Sequence, residues 1–379
     1  MKKLVALVLI GLMIVSLAAC GGKGTPTPDP VPPSSGSDSS GADEETSGDE
    51  AASSDIVVVG DEKYNVVFNS ILSDLSTSGD PQNNSGYYAT KWFFEEVTRR
   101  TEGHITFEEN YSGALFKTAE VLDALSGGAL DMALTTTHAY GEVIPEGFMS
   151  NIPGWAEDPY DAHTTFRDTD LWKLYDEALR ENGVVPTHML IVGNYGFISK
   201  TPINNMADFK GKLARASGGL FTVWFDALGF SSIPLSVSES YDAMQKGTID
   251  IDSMGWGGFD SFKLGEVAKY YAAPAYHQAN CVTHLFSEKF WNTLPQEYQD
   301  LILEVGNQAE EKSAQIAVTE QEAKIAEYTE TYGLTRCDFE EMDALIASMD
   351  VIYDKWGGMN VRSDQMVQIM KDHIAERGV

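Results

Sequence analysis

The chain has 379 residues, and its 26 Lys and Arg stand against 57 Asp and Glu, a formal net charge of −31. So acidic a surface repels a phosphate backbone and argues against DNA or RNA as a partner. It speaks for solubility and says nothing about fold, and three widely spaced cysteines offer neither a redox motif nor a metal knuckle.

Lys2 and Lys3 precede an uncharged apolar run over 4–17. At ~1.5 Å per helical residue this run covers about 21 Å, short of a bilayer core of about 30 Å, and so reads as a signal peptide over 1–19. The stretch Leu17-Ala18-Ala19-Cys20-Gly21 resembles the bacterial lipoprotein processing box. That resemblance implies an acylated Cys20 and attachment to a membrane through lipid. From 20 to 55 the chain is Pro, Ser, Gly, Asp and Glu with almost nothing apolar to offset ordering, which predicts a flexible tether averaging roughly 30 Å end to end.

Residues 56–379 exceed what one core usually holds, so two domains are expected. Alternation predicts a strand over 64–70. An amphipathic helix follows over 86–101 with Tyr88, Trp92 and Phe93 on one side, then a strand over 104–108. Thr118 is placed to cap a helix that Gly127-Gly128 ends, before a third strand over 130–135. This β-α-β-α-β order predicts a largely parallel sheet flanked by helices, with a ligand crevice beyond the carboxyl ends of its strands. Thr136, Thr137 and His138 follow the third strand, and loops there reach such a crevice, so Thr137 and His138 are candidate ligand contacts.

A second series opens with a strand over 188–193, whose end places Asn194 and Tyr195 near an expected hinge. Strands at 212–216 and 231–235 enclose a helix over 220–228. Ser238 then caps a helix ended by Gly247, followed by strands at 249–253 and 281–287. From about 295 to 332 the pattern is one helix rich in Glu, Gln, Ala and Ile, roughly 55 Å long and therefore expected to span both domains. Cys281 falls in a strand-like run and is expected to be a buried thiol, unbridged to Cys337. Arg215 stands alone among small and apolar neighbours, where an arginine usually meets a buried anion.

The order of these signals carries a resemblance. Gly127-Gly128-Ala129-Leu130-Asp131-Met132-Ala133 is followed by Asp208-Phe209-Lys210-Gly211 before Arg215. Ala227-Leu228-Gly229, Pro234, Ser238-Glu239, Tyr241, Ala243-Met244, Gly247, Ile249-Asp250 and Phe290-Trp291-x-x-Leu294-Pro295 come after it. Over residues 64 to 335 this resembles the solute-binding proteins of TRAP transporters. The resemblance implies an α/β, two-domain periplasmic-binding-protein-like fold with crossing hinge strands and a long helix spanning both domains. Domain I would take 56–193 with 279–314, and domain II 194–278 with 315–379. It also implies a receptor for a small organic acid that serves TRAP membrane subunits from the outer face of the membrane, with no cofactor and no metal.

In that family the arginine at the position of Arg215 holds the substrate's carboxylate in a two-pronged salt bridge, and a planar guanidinium suits a carboxylate in that way. An arginine paired internally with an acid is the alternative. Many members carry a second arginine after Gly-Phe, whereas Gly196-Phe197 is followed here by Ile198; this favours a monocarboxylate, or a ligand held partly by aromatic stacking, over polyanions. The run Asp250-Ile251-Asp252-Ser253-Met254-Gly255-Trp256 also departs from the family pattern, leaving Ser253 and Trp256 as pocket candidates, with core packing the alternative for Trp256. Residues 262–277, FKLGEVAKYYAAPAYH, are similar to the keto-acid branch and point to 2-oxo acids. The signatures of zinc proteases, α/β-hydrolases and nucleotide-binding folds are absent, and His277 and His284 lack a third ligand nearby, so no enzyme is expected. The other readings are an ABC-type binding lipoprotein and a lipoprotein hydrolase with scattered catalytic residues.

Overall fold

A computed structural model describes residues 55–76, 84–216, 219–235, 239–277 and 279–377. The signal peptide, Cys20, the tether up to residue 54 and Ser238 lie outside the described residues.

The first lobe starts with β1 (Tyr64–Ser70), α1 (Ser85–Arg100), β2 (Ile105–Asn110), α2 (Thr118–Gly127) and β3 (Met132–Thr135), close to the expected spans. β1 pairs in parallel with both β2 and β3. The Asn84 side chain caps α1 by accepting from the Tyr87 N–H at 2.9 Å, and Tyr87, Phe93, Phe94 and Val97 are buried. Thr118 begins α2 but does not cap it. Glu120 reaches back instead, and its carboxylate accepts from the Lys117 N–H at 2.8 Å, while Gly128 ends the helix at φ +78°.

Two helices that the sequence reading leaves out, α3 (Pro159–Asp168) and α4 (Leu171–Arg180), lead to β4 (Val184–Ile191). The chain crosses to the second lobe through β5 (Tyr195–Ser199) and continues through β6 (Leu213–Ala216), α5 (Gly219–Ala227), β7 (Ser231–Pro234), α6 (Ser240–Lys246), β8 (Ile251–Gly255), α7 (Trp256–Ser261) and β9 (Tyr270–His277). It returns as β10 (Cys281–Ser287), followed by α8 (Glu288–Trp291), α9 (Gln296–Thr331), β11 (Thr335–Asp338), α10 (Met342–Ala347), α11 (Asp350–Gly357) and α12 (Val361–Glu376).

The two sheets have strand orders β2-β1-β3-β10-β4 and β11-β9-β5-β8-β6-β7. They are mixed rather than largely parallel. β10 runs antiparallel to β3 and β4, and β5 antiparallel to β8 and β9, because each of these strands enters its sheet from the other lobe. The two crossings are bonded to one another: the Val192 N–H donates to the Asn280 carbonyl at 3.0 Å. Cys281 and Cys337 are free, buried thiols in different sheets.

α9, 36 residues and about 54 Å long, contributes Tyr298, Leu301, Ile302 and Val305 to the first lobe's core and Tyr328 to the second's. It also closes the open edge of β4. The outward Met189 N–H donates to Glu310 Oε2 at 3.0 Å and the Ile191 N–H to Ser313 Oγ at 2.9 Å. Glu310 is wholly buried and accepts from Arg167 Nε at 3.0 Å and His163 Nδ1 at 2.9 Å. Burial opposes its ionisation, but Arg167 and His163 outweigh that and hold its pKa below the ordinary carboxylate value. Between β4 and β10 the His188 and His284 rings lie 4.3 Å apart, tilted, and both pack against Phe93. The C-terminal helices touch both lobes: Trp224 Nε1 donates to Ser348 Oγ at 2.8 Å, and Tyr353 Oη donates to the Pro153 carbonyl at 2.7 Å.

Gly306 is the close approach of α9 to β4, since a Cβ there would lie 2.6 Å from His188 Nδ1 and 3.3 Å from His188 Cβ. Gly306→Ala would ordinarily gain about 1 kcal/mol of helix propensity. Here it is expected to lose about 1–3 kcal/mol through overpacking, read as a lower urea midpoint at unchanged slope. A raised midpoint would contradict this packing.

Candidate functional site

The carboxyl end of β3, the two crossings and the carboxyl end of β8 surround a cavity of about 280 Å³ whose walls include His138, Val192, Tyr195, Met254 and Asn280. The amino end of α1 comes close because Gly86 carries no side chain where a Cβ would lie 2.6 Å from Val192 Cγ1. Asn84, its cap, is also in the wall.

Of the residues expected from the sequence, His138 and Tyr195 line this cavity. His138 Nδ1 is hydrogen-bonded to Thr136 Oγ1, and its backbone N–H donates to Ser150 Oγ at 3.1 Å. Loss of hydration pushes its pKa down to about 4, so the ring is neutral at pH 7. Tyr195, first residue of β5, sets its ring 5.3 Å from His277 and 6.2 Å from Phe221. Burial raises its pKa, against the opposing Arg215 charge and a hydrogen bond from the Asn151 side chain.

Arg215 is buried on β6 and engages an acid of its own chain. Its Nε donates to Asp252 Oδ1 at 2.6 Å and its Nη2 to the Ser253 carbonyl at 2.8 Å, so Nη1 is the nitrogen without an acceptor among the described residues. Asp252 is also buried. Desolvation raises its pKa, an effect that the Arg215 charge opposes. Ser253 Oγ is hydrogen-bonded to Tyr276 Oη, and the Tyr276 ring stacks at 4.7 Å on Phe197. The internal pairing weighed from the sequence is thus present, in a form that leaves one guanidinium nitrogen over.

Thr137 and Trp256 pack into the frame, and Asn194 stands at the crossing between the lobes. Thr137 is buried, donates to the Gly147 carbonyl at 3.0 Å and accepts from Tyr175 Oη at 2.9 Å. Trp256 is buried among Phe259, Tyr271 and Tyr328 and covers the β5 backbone at Gly196, where a Cβ would lie 2.5 Å from its ring. Its place is the second lobe's core. Asn194 is buried at the crossing, and its carbonyl accepts from the Trp256 N–H at 3.1 Å. Sequence reasoning did not single out Tyr276, bonded to Ser253 Oγ, Asn280 in the cavity wall, or the hydrogen bond between His277 Nε2 and Asn151 Oδ1. Among the described residues no cluster of three or more His, Cys, Asp or Glu could hold a metal ion, and no helix is long and apolar enough to cross a membrane.

Residues 75–357 match the family described as bacterial extracellular solute-binding protein, family 7. A solute-binding protein of Sulfitobacter sp. strain NAS-14.1 is 24% identical over 284 residues, covering 72% of this chain and 83% of that protein. The C4-dicarboxylate-binding periplasmic protein DctP of Rhodobacter capsulatus is 25% identical over 205 residues, covering 53% of this chain and 61% of that protein. Among solved structures, a TRAP periplasmic solute-binding protein from Rhodoferax ferrireducens with bound malonate superposes with a TM-score of 0.74 at 22% identity, covering 82% of this chain and 99% of that one. One from Sulfitobacter sp. NAS-14.1 with bound β-D-galacturonate gives 0.71 at 20%, covering 81% and 99%.

Three buried histidines and the half-buried His138 make stability sensitive to acid. Burial lowers His138 to about 4, His277 and His284 to about 3, and His188 well below its ordinary 6.5. The unfolded chain therefore binds protons that the folded protein refuses. The stability is fully present above pH 6.5 and is lost as pH falls toward 4 and below, by about 1.4 kcal/mol per pH unit for each such proton. Denaturation between pH 7 and 5 should show this slope, and His284→Gln should reduce it by one proton's share. A stability constant over that range would contradict the burial of these rings.

Proposed function

The chain belongs to the bacterial extracellular solute-binding proteins of family 7, receptors rather than enzymes, and on that premise we propose that it captures a small organic acid in the cleft between its lobes. It then delivers the acid to TRAP-type membrane subunits. One observation carries the acid reading: the buried Arg215 keeps Nη1 uncommitted while Asp252 and the Ser253 carbonyl hold the rest of the guanidinium in place. The malonate and galacturonate held by similar proteins, both carboxylates, support it. A single arginine, already half-neutralised by Asp252, with Ile198 in place of a second, favours a monocarboxylate or 2-oxo acid over a polyanion. His138, Tyr195, Asn194 and Ser253 complete the proposed site, and closure turns on the crossings joined by the Val192 N–H and the Asn280 carbonyl. The hydrolase and ABC-receptor alternatives fall with the family. Cys20 is proposed to anchor the receptor to the outer face of the membrane through lipid.

Calorimetric titration with carboxylic acids tests the arginine. Arg215→Lys leaves Asp252 a cationic partner but loses the planar fork, so affinity for the best acid should fall about 10- to 100-fold. Asp252→Asn should leave it unchanged or stronger, because the guanidinium is then freer to pair with ligand. Unaltered affinity in Arg215→Lys would make the arginine a purely internal partner. For the anchor, Cys20→Ser is expected to move the protein from the membrane fraction to the soluble one with ligand binding intact; retention in the membrane would overturn that assignment.

A further inference from the structure

The wall of the cavity at the crossings is largely hydrocarbon. Ile71 and Leu72, which follow β1, and Val282 on β10 face it from the first lobe, Met254 on β8 and Phe262 just beyond α7 from the second, and Val192 from the first crossing. Gly255 and Gly258 stand among them and bring no polar side chain. Gly258 also gives Met254 its place, since a Cβ there would lie 2.8 Å from Met254 Sδ. The polar members of the wall are already engaged with the protein: Asn84 Oδ1 accepts from the Tyr87 N–H at 2.9 Å, Thr136 Oγ1 and His138 Nδ1 share a hydrogen bond, and the Tyr195 hydroxyl is bonded to the Asn151 side chain. A sugar hydroxyl sunk here exchanges water for few open partners, whereas a methylene gains by leaving water. The wall begins one residue from the seat of the guanidinium, because Met254 follows Ser253, whose carbonyl accepts from Arg215 Nη2 at 2.8 Å.

We propose that this cavity holds a hydrocarbon tail of the bound acid, so that the receptor takes aliphatic acids and turns away sugar acids and dicarboxylates, whose second polar end would have to enter it. This rests on the acid-receptor reading and narrows it: Arg215 takes the head, while Val192, Met254, Phe262 and Val282 set the tail. The specificity therefore departs from the malonate and galacturonate held by similar proteins. A volume of about 280 Å³ is small for a ligand cavity and suits a tail of about four to six carbons, not a long acyl chain. Walls drawn from both lobes enclose that tail as the lobes meet.

Calorimetric titration with straight-chain acids from acetate to octanoate, with the 2-oxo acids of the same lengths, and with malonate and galacturonate provides the test. In at least one series affinity should climb about threefold to fourfold per methylene until the cavity fills and then level off, and malonate and galacturonate should bind at least about tenfold more weakly than the best tailed acid. The heat-capacity change of binding should grow more negative along the climb. Met254→Gln, which puts an amide into the wall, should cut the climb to about twofold or less per methylene. Met254→Ala, which opens space, should move the plateau to longer tails. Melting temperatures of the empty variants verify folding, and if neither folds, Val282→Thr, which keeps the shape and adds a hydroxyl, decides by the same flattening. Affinity independent of tail length, tighter binding of malonate or galacturonate than of any tailed acid, or a length profile unmoved in the folded variants would overturn this inference and leave the acid receptor standing. Alcohols of matching length that bind as tightly as the acids would overturn the acid reading and leave the apolar cavity. Failure of acids and alcohols alike would overturn both.

Discussion

One buried carboxylate sets the frame on which the site depends. Glu310, halfway along α9, takes hydrogen bonds from the edge of β4 and from two cationic or protonatable side chains of α3, and with Ser313 it fastens the helix to the strand that becomes the first crossing. A lone carboxylate in that position would be expelled or protonated. Ringed by Arg167, His163 and a backbone N–H, it holds the position of β4, and so of Val192, Asn194 and Tyr195 beyond it. Because α9 continues into the second lobe's core, the same fastening gives the two lobes a common rigid member.

Around the proposed ligand position the charge arithmetic is close to zero. Arg215 faces Asp252, and His138 and His277 are kept neutral by burial. An arriving acid therefore meets no surplus of positive charge, only a guanidinium with one free edge and a set of oriented dipoles. Affinity must then come from fork geometry, from donors already aimed, and from water excluded as the walls meet. Such a site is selective about shape, and an overwhelmingly acidic exterior does not blunt it, because only contacts inside the cleft decide.

Most of the α/β series was legible because periodicity and glycine punctuation report local physics: β1 and β10 have the spans expected, and α9 is found within a residue of its expected ends. What was not legible depends on contacts across the chain. β5 is short, both β5 and β9 are largely buried and therefore without alternation, and β9 contains Pro274, so neither announces itself as a strand. The antiparallel pairings come from strands changing sheets, which no local pattern encodes. Arg215 could be singled out because a charge among small apolar residues is anomalous in itself. Tyr276 could not, since a tyrosine in an apolar run looks ordinary until Ser253 and Phe197 are set against it by distant strands. Trp256 shows the converse: a strand-end aromatic reads as a pocket wall, but the glycine it covers, Gly196, makes it core.

The two unpaired thiols carry a consequence for how the molecule can be watched. Cys281 sits on a central strand of one sheet and Cys337 on an edge strand of the other, both sealed from solvent. Neither can meet an alkylating reagent until the packing over it opens, so each is a built-in sentinel for its own lobe. Among the described residues no disulfide cross-links the fold. The order in which the two sulfurs become reactive would report which half of the receptor loosens first.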